Sequence, residues 1–132
     1  YMHVFLDAGN GNVLAFFELP TAPEMGRDPN TPEWVQHIAF KVESMAALEA
    51  AKARLQAGGV EVLGITDHAI FKSIYFFDPN GHRLELACDV GTPEMYQQLD
   101  EVKWDMLEEW SQTKQAPKHA AWMHDKEFKA LD

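Results

Sequence analysis

The sequence predicts an α+β fold of paired βαβββ modules, the first incomplete at its N-terminal side, with a C-terminal helical extension. Three observations lead there. First, Asp78-Pro79-Asn80-Gly81 separates two short runs, 73–77 (SIYFF) and 82–87 (HRLELA), which read as a strand, a tight turn and a returning strand. Second, residues 34–42 alternate, 44–56 are rich in Ala and Leu, and 60–65 form another short apolar run, giving strand, helix and strand ahead of that hairpin. Third, 10–16 (NGNVLAF) repeats 80–86 (NGHRLEL) without a gap, matching the Asn-Gly turn and the alternating apolar positions. The expected organisation is a domain over 1–90, with 1–19 ending the first module and 34–89 forming the second, and helices over 91–132.

Each element has a local cause. Residues 2–6 and 13–19 are apolar and aromatic and flank the turn-forming DAGNGN cluster, so they predict a hairpin. Residues 20–32 hold four prolines and no hydrophobic period, which makes them a connector. Along 34–42, Gln36, Ile38, Phe40 and Val42 share one face, and Val35, His37, Ala39 and Lys41 share the other. Ser44 is an N-cap and Gly58-Gly59 a stop for the helix between them. Beyond Asp89, a helix over 93–110 carries Met95, Leu99, Val102, Met106 and Trp110 as an apolar stripe, and 118–131 reads as a shorter helix after Pro117. The stripe is packing surface for the core or for another subunit. In the repeat register Ala15 takes the place of Glu85 and Phe5 that of Tyr75. The first copy has no opening strand, helix and second strand, so Leu14 and Phe16 need cover worth ~1.5–3 kcal/mol per large side chain.

Composition narrows the function. The 132 residues, 46% hydrophobic and 11% aromatic, suffice for one packed domain. A formal net charge of −10 without a Lys/Arg cluster argues against nucleic acid and anionic membrane as partners. Cys88 is the single cysteine, and no apolar run approaches the ~18 residues of a membrane span or resembles a signal peptide, so a reducing cytoplasm is expected. The chain opens on Tyr1, which reads as the loss of an upstream part.

The candidate site follows from strand parity. On 82–87, Leu84 and Leu86 point one way and Arg83, Glu85 and Ala87 the other; on 73–77, Ser73, Tyr75 and Phe77 share Glu85's side. His37 also lies opposite an apolar face. Histidine and carboxylate on one sheet face suit a metal held on one side with other positions open, as in Fe(II) oxygen chemistry. A hydrogen-bonded or solvent-facing polar pair satisfies the same parity, and spacing alone does not choose. Likewise His68 reads equally as a surface residue and Tyr75 as a packing residue.

The spaced pattern Thr66-x-His68, five residues, Ile74-Tyr75, two residues, Asp78-Pro79-x-Gly81, three residues, Glu85 resembles the signature of type I extradiol ring-cleavage dioxygenases. These belong to the vicinal oxygen chelate superfamily, with glyoxalase I and the fosfomycin and bleomycin resistance proteins. The resemblance covers about 2–87 and leaves out the tail. It implies His37 and Glu85 as metal ligands, His68 as the acid-base histidine and Tyr75 as the tyrosine that hydrogen-bonds a catechol oxygen. It implies Fe(II), with Mn(II) or another divalent ion second, as cofactor, and a small catechol-like aromatic and O2 as substrates. The catechol would chelate the metal through adjacent oxygens, and a neutral histidine would accept and return a proton. Ala15 in place of a glutamate disfavours glyoxalase-type sites, which commonly draw a carboxylate from the first module.

Two departures stand out. The family's other metal histidine lies on the opening strand of the first module, which this chain does not contain; His3 aligns instead with Ser73. Asn12 stands near a position where many members carry a further active-site histidine. By parity His82 faces away from Glu85, and His119 and His124, five apart, miss the helical ligand spacing and read as surface. Phe77, Val35 and Ala39 suggest an apolar wall. The expected function is therefore a metal-dependent, extradiol dioxygenase-like protein. The alternatives are a glyoxalase-like isomerase or thiol transferase, and a metal-free module binding an aromatic ligand. The unfinished module and the amphipathic helix leave apolar surface, so a homo-oligomer is expected.

Overall fold

The computed structural model describes residues 1–115 and 118–123. The chain divides into two compact units, Tyr1–Gln36 and His37–Asp132.

The first unit contains a two-stranded antiparallel hairpin, β1 (Met2–Asp7) and β2 (Val13–Glu18). Its turn is closed by the Asp7 carboxylate, which accepts from Gly9 N at 2.8 Å, and by Asn12 N, which donates to Gly9 O at 2.9 Å. The Asn12 side-chain amide also donates to Gly9 O, at 3.1 Å. This asparagine is committed to the turn. His3 is packed between Phe5 and Phe17, with ring centroids 4.0 and 3.8 Å away. Leu14 and Phe16 are half-buried, while Val4, Phe5, Val13 and Phe17 are exposed.

The second unit is a four-stranded sheet in the order β3-β6-β5-β4, formed by β3 (His37–Lys41), β4 (Leu63–Asp67), β5 (Phe71–Phe77) and β6 (Arg83–Asp89). Helix α1 (Met45–Ala57) crosses between the parallel neighbours β3 and β6 in sequence and packs on one face. Ser44 caps it by accepting from Ala47 N at 3.1 Å. The core is the cluster of Leu48, Ala51, Ile74 and Cys88, edged by Val42, Met45, Leu55, Val62 and Leu86. Burying a side chain such as Leu48 or Ile74 stabilises by about 1.5–3 kcal/mol. Ile74 and Leu86 are directly paired, so the positions between them, including Tyr75 and Glu85, point to the face turned away from α1. Helix α2 (Pro93–Thr113) follows, capped by Thr92, with Met95, Leu99, Val102 and Met106 half-buried and Trp104, Leu107 and Trp110 exposed. The shorter helix expected over 118–131 lies mostly outside the described residues; within them only 121–123 are helical.

Two strands differ from expectation. β3 is His37–Lys41 rather than 34–42, because Val35 N turns back to Pro32 O at 3.1 Å and pairing starts only where Arg83 faces His37. β4 is Leu63–Asp67 rather than 60–65. The chain leaves α1 through Val60 N, bonded to Leu55 O, and meets β5 at Leu63, then breaks register between Gly64 and Thr66. Gly64 has φ +110°, and a Cβ there would lie 2.6 Å from Ser73 O.

The repeat is visible in the pairing itself. His3↔Phe17, Val4↔Phe16, Phe5↔Ala15, Leu6↔Leu14 and Asp7↔Val13 in the first hairpin correspond to Ser73↔Ala87, Ile74↔Leu86, Tyr75↔Glu85, Phe76↔Leu84 and Phe77↔Arg83 in the second.

The backbone at Gly64 yields a direct test. Gly64→Ala is expected to cost about 1–3 kcal/mol through left-handed strain and the clash with Ser73 O. Gly26→Ala, with no heavy atom within 4 Å of its Cβ position, should stay within about 0.5 kcal/mol. Urea midpoints measure both, and equal midpoints would contradict the packing described.

Candidate functional site

The site is built on the face of the sheet turned away from α1. The β5–β6 turn sets its register: Asp78 N donates to His82 O at 2.9 Å, Gly81 N to Asp78 O at 2.9 Å, and the Asp78 carboxylate accepts from Asn80 N and His82 N at 2.9 and 2.8 Å. Gly81 takes φ +83°, which the turn requires and which glycine adopts without strain. Tyr75 is thereby placed opposite Glu85. On the other side of β6, the parallel register puts Ala39 opposite Glu85 and His37 opposite Arg83. Four side chains from three strands thus share one face: His37, Tyr75, Arg83 and Glu85.

Glu85 is the centre of this group. Only 4% of it is exposed, and both of its carboxylate oxygens are used. Ser73, fully buried, donates its hydroxyl to Oε1, and a 2.9 Å hydrogen bond joins His37 Nε2 to Oε2. A buried carboxylate needs such partners, since an unpaired one would be strongly disfavoured. The hydrogen-bonded polar pair is therefore realised. The same distance also bears on a metal: two ligands each about 2.0–2.2 Å from a divalent ion, at a right angle, lie roughly 3 Å apart. The pair fits two adjacent positions of such a site. Among the described residues no third His, Cys, Asp or Glu joins them. Taken as ligands, His37 and Glu85 would be two donors of a larger set.

A second pair sits beside the first. His68 Nε2 is hydrogen-bonded to Tyr75 Oη at 2.7 Å, and the His37 ring meets the edge of Tyr75 with centroids 5.8 Å apart. His68 lies at the β4–β5 turn, where its N–H donates to Phe71 O at 2.9 Å and Ile70 N donates to His68 O at 2.9 Å. Ala69, at φ +70°, is held by its N–H donating to the Asp67 carboxylate at 2.8 Å. The imidazole stacks on Phe71 at 4.6 Å. The C-terminal extension reaches this turn: Tyr96 Oη, from α2, donates to Ile70 O at 2.9 Å, and Val90 N and Gly91 N donate to the same carbonyl. Sequence reasoning left the extension outside the pattern and missed this brace. An aromatic residue in the first turn of α2 was the available signal.

The Tyr75 phenol is held neutral. Burial, first, and the neighbouring Glu85 carboxylate, second, push its pKa up to about 12, and the Arg83 guanidinium offsets this only in part. Arg83 itself lies over the Tyr75 ring, 4.5 Å from the centroid.

The other candidates fall elsewhere. His82 is exposed at the turn. His119 is exposed and paired with Glu109 at 3.0 Å, and His124 lies outside the described residues. Ala39 and Phe77 share the face of Glu85, and Phe77 is exposed; Val35 precedes β3 and is exposed. No described helix is long and apolar enough to cross a membrane.

The second unit is thus one βαβββ module, a four-stranded sheet with one crossing helix and polar side chains on the opposite face. Residues 2–86 match the Glyoxalase/Bleomycin resistance protein/Dioxygenase superfamily, and the chain belongs to it. The putative ring-cleaving dioxygenase MhqA of Bacillus subtilis (strain 168) is 28% identical over 99 residues, which are 75% of this chain and 31% of MhqA. The chain thus spans about a third of that relative. A glyoxalase/dioxygenase from Nostoc punctiforme shares the fold, with TM-score 0.54 and 18% identity over 67% of this chain and 61% of its own. The fosfomycin resistance protein FosX of Listeria monocytogenes aligns with TM-score 0.48 and 26% identity over 70% of this chain and 68% of its own.

The tyrosine gives the pH prediction. Because its folded pKa is raised, its contribution to stability is fully present below the unfolded value near 10 and is lost as pH rises toward about 12. In an ultraviolet titration Tyr75 should ionise near 12, and Tyr75→Phe should remove that step. A full complement of tyrosines ionising near 10 would contradict the placement of Tyr75 beside Glu85.

Proposed function

We propose that this chain carries the second-module half of a metal-dependent, extradiol-type site that cleaves a catechol-like ring with O2. The observation that supports the reading best is the convergence of His37 and Glu85 with the His68–Tyr75 pair on one face of one sheet. The match to a putative ring-cleaving dioxygenase adds to it at the level of the reaction class. Fe(II) is the metal proposed and Mn(II) the second choice. A bound divalent ion would supply charge to hold the two catechol oxygens and a route for electrons to O2.

The chain's own residues have separate tasks. His37 and Glu85 offer one imidazole nitrogen and one carboxylate at ligand spacing, and Ser73 fixes the carboxylate's other oxygen. Tyr75, kept neutral, presents a phenolic O–H that donates to a substrate oxygen. His68 Nε2, which accepts the phenol O–H, is released when that O–H turns to the substrate and can then take a proton from it and return it, work suited to an imidazole. Phe71 stacked on His68 holds the ring's orientation.

A metal-free module that binds an aromatic ligand is the second reading. It is favoured by the Glu85 carboxylate, both of whose oxygens are already bonded to protein. A reducing compartment, which keeps Cys88 a thiol, and a homo-oligomer are proposed with either reading, the latter because Trp104, Leu107 and Trp110 stand exposed on α2.

Oxygen uptake tests the proposal. With Fe(II) and a catechol, one O2 should be consumed per ring opened, and His68→Phe should lower the rate by about 10²–10⁴-fold while leaving metal content unchanged. Aromatic binding without O2 uptake, indifferent to a chelator, would favour the binding module. Cleavage at normal rate by the His68→Phe variant would remove His68 from its role.

A further inference from the structure

The face that carries His37, Tyr75 and Glu85 also carries a cation that the ring-cleavage chemistry does not use. Of the three lysine and arginine side chains in the four-stranded sheet, Lys41 is paired with Asp89, and Lys72 lies 3.6 Å from Asp67. Arg83 has no carboxylate partner among the described residues. The nearest carboxylate along its own strand face, Glu85, has both oxygens engaged by Ser73 and His37. The Arg83 Nε is buried and makes no hydrogen bond. With Nε covered by the protein, the guanidinium can meet a ligand only through its terminal Nη groups, which make no ion pair with the described residues. The chain has 21 acidic residues against 11 basic ones, so an arginine left without an acid on this face is not explained by a shortage of carboxylates.

Its position is equally specific. Arg83 pairs with His37 in the β3–β6 register and with Phe77 in the β5–β6 register, and its guanidinium carbon sits 4.5 Å from the centroid of the Tyr75 ring. Stacking on the ring fixes a guanidinium while leaving its in-plane donors available, and that fork matches a carboxylate.

We infer that Arg83 is a specificity-determining residue that receives a carboxylate borne by the aromatic substrate, next to the position where Tyr75 holds a ring oxygen. The inference rests on the proposed site and names its substrate class: aromatic diols that carry an anionic substituent. A purely structural role for Arg83, propping Tyr75, would affect charged and uncharged ligands alike.

The experiment compares benzoate with benzyl alcohol, and 3,4-dihydroxybenzoate with catechol, by calorimetry and by the ¹⁵Nε resonance of Arg83. The Arg83 resonance should move to saturation with both carboxylates and stay still with benzyl alcohol. In the wild-type chain 3,4-dihydroxybenzoate should bind at least about tenfold tighter than catechol. Arg83→Gln should reduce that advantage to less than about twofold, read as the ratio of the two affinities in the same variant. Arg83→Lys, which keeps the charge and loses the fork, should retain part of it. Equal binding of the two diols, or an advantage that survives Arg83→Gln, overturns the inference and leaves the ring-cleavage reading standing. Saturating shifts of Arg83 with benzoate, without any binding of catechol, keep the anion site and remove the catechol reading. No binding of any of the four overturns both. The resonance measurement uses the wild-type chain and holds even where a variant fails to fold.

Discussion

The pairing of Tyr75 with Glu85 is the constraint on which the site depends. Strand side chains alternate, so a one-residue slip between β5 and β6 would turn both toward α1 and bring Ile74 and Leu86 out of the core. The Asp78–Gly81 turn prevents this, with one carboxylate accepting two backbone N–H groups and one glycine at φ +83°. The same register that fills the core therefore lays out the candidate site. Core packing and the candidate site are coupled through a single hairpin, and Ser73 shows the coupling in one residue: it is fully buried, and it holds the Glu85 carboxylate.

Around that hairpin each neighbouring element contributes one side chain to the candidate site. β3 brings His37 through its parallel register with β6, and α1 supplies the crossing that makes the parallel pair possible. The β4–β5 turn brings His68, and the first turn of α2 braces that turn through Tyr96. Membership of the superfamily accounts for the arrangement of strands. It does not account for Arg83, whose guanidinium lies over the Tyr75 ring without a carboxylate partner among the described residues.

Much of this was legible in the sequence, for reasons that can be named. Parity alone put Tyr75, Glu85 and His37 on one face, because strand alternation has a period of two and the Asn-Gly turn left little choice of register. The helix was legible from Ser44 and Gly58-Gly59, and the repeat from its shared turn. The strand limits were less so. Trp34 and Val35 alternate with Gln36 and look like strand, yet the Val35 N–H donates to Pro32 O and the strand pairing begins at His37. Val60 and Val62 look like a strand, but pairing begins at Leu63 and is interrupted at Gly64, whose backbone no alternating pattern announces. Resemblance implied roles for His68 and Tyr75 but not the hydrogen bond between them, because a turn carries no side-chain period. The brace from Tyr96 and the lack of a carboxylate partner for Arg83 among the described residues are tertiary facts that no local pattern announces.

The central claim is that His37 and Glu85 are ligands rather than only a hydrogen-bonded pair. Iron bound per chain after anaerobic incubation with Fe(II), compared between the wild-type chain, His37→Ala and Glu85→Gln, tests it most directly. The account predicts retention by the wild-type chain and loss of at least about tenfold in affinity in either variant. Equal iron content in all three, or none in the wild-type chain under saturating Fe(II), would contradict it.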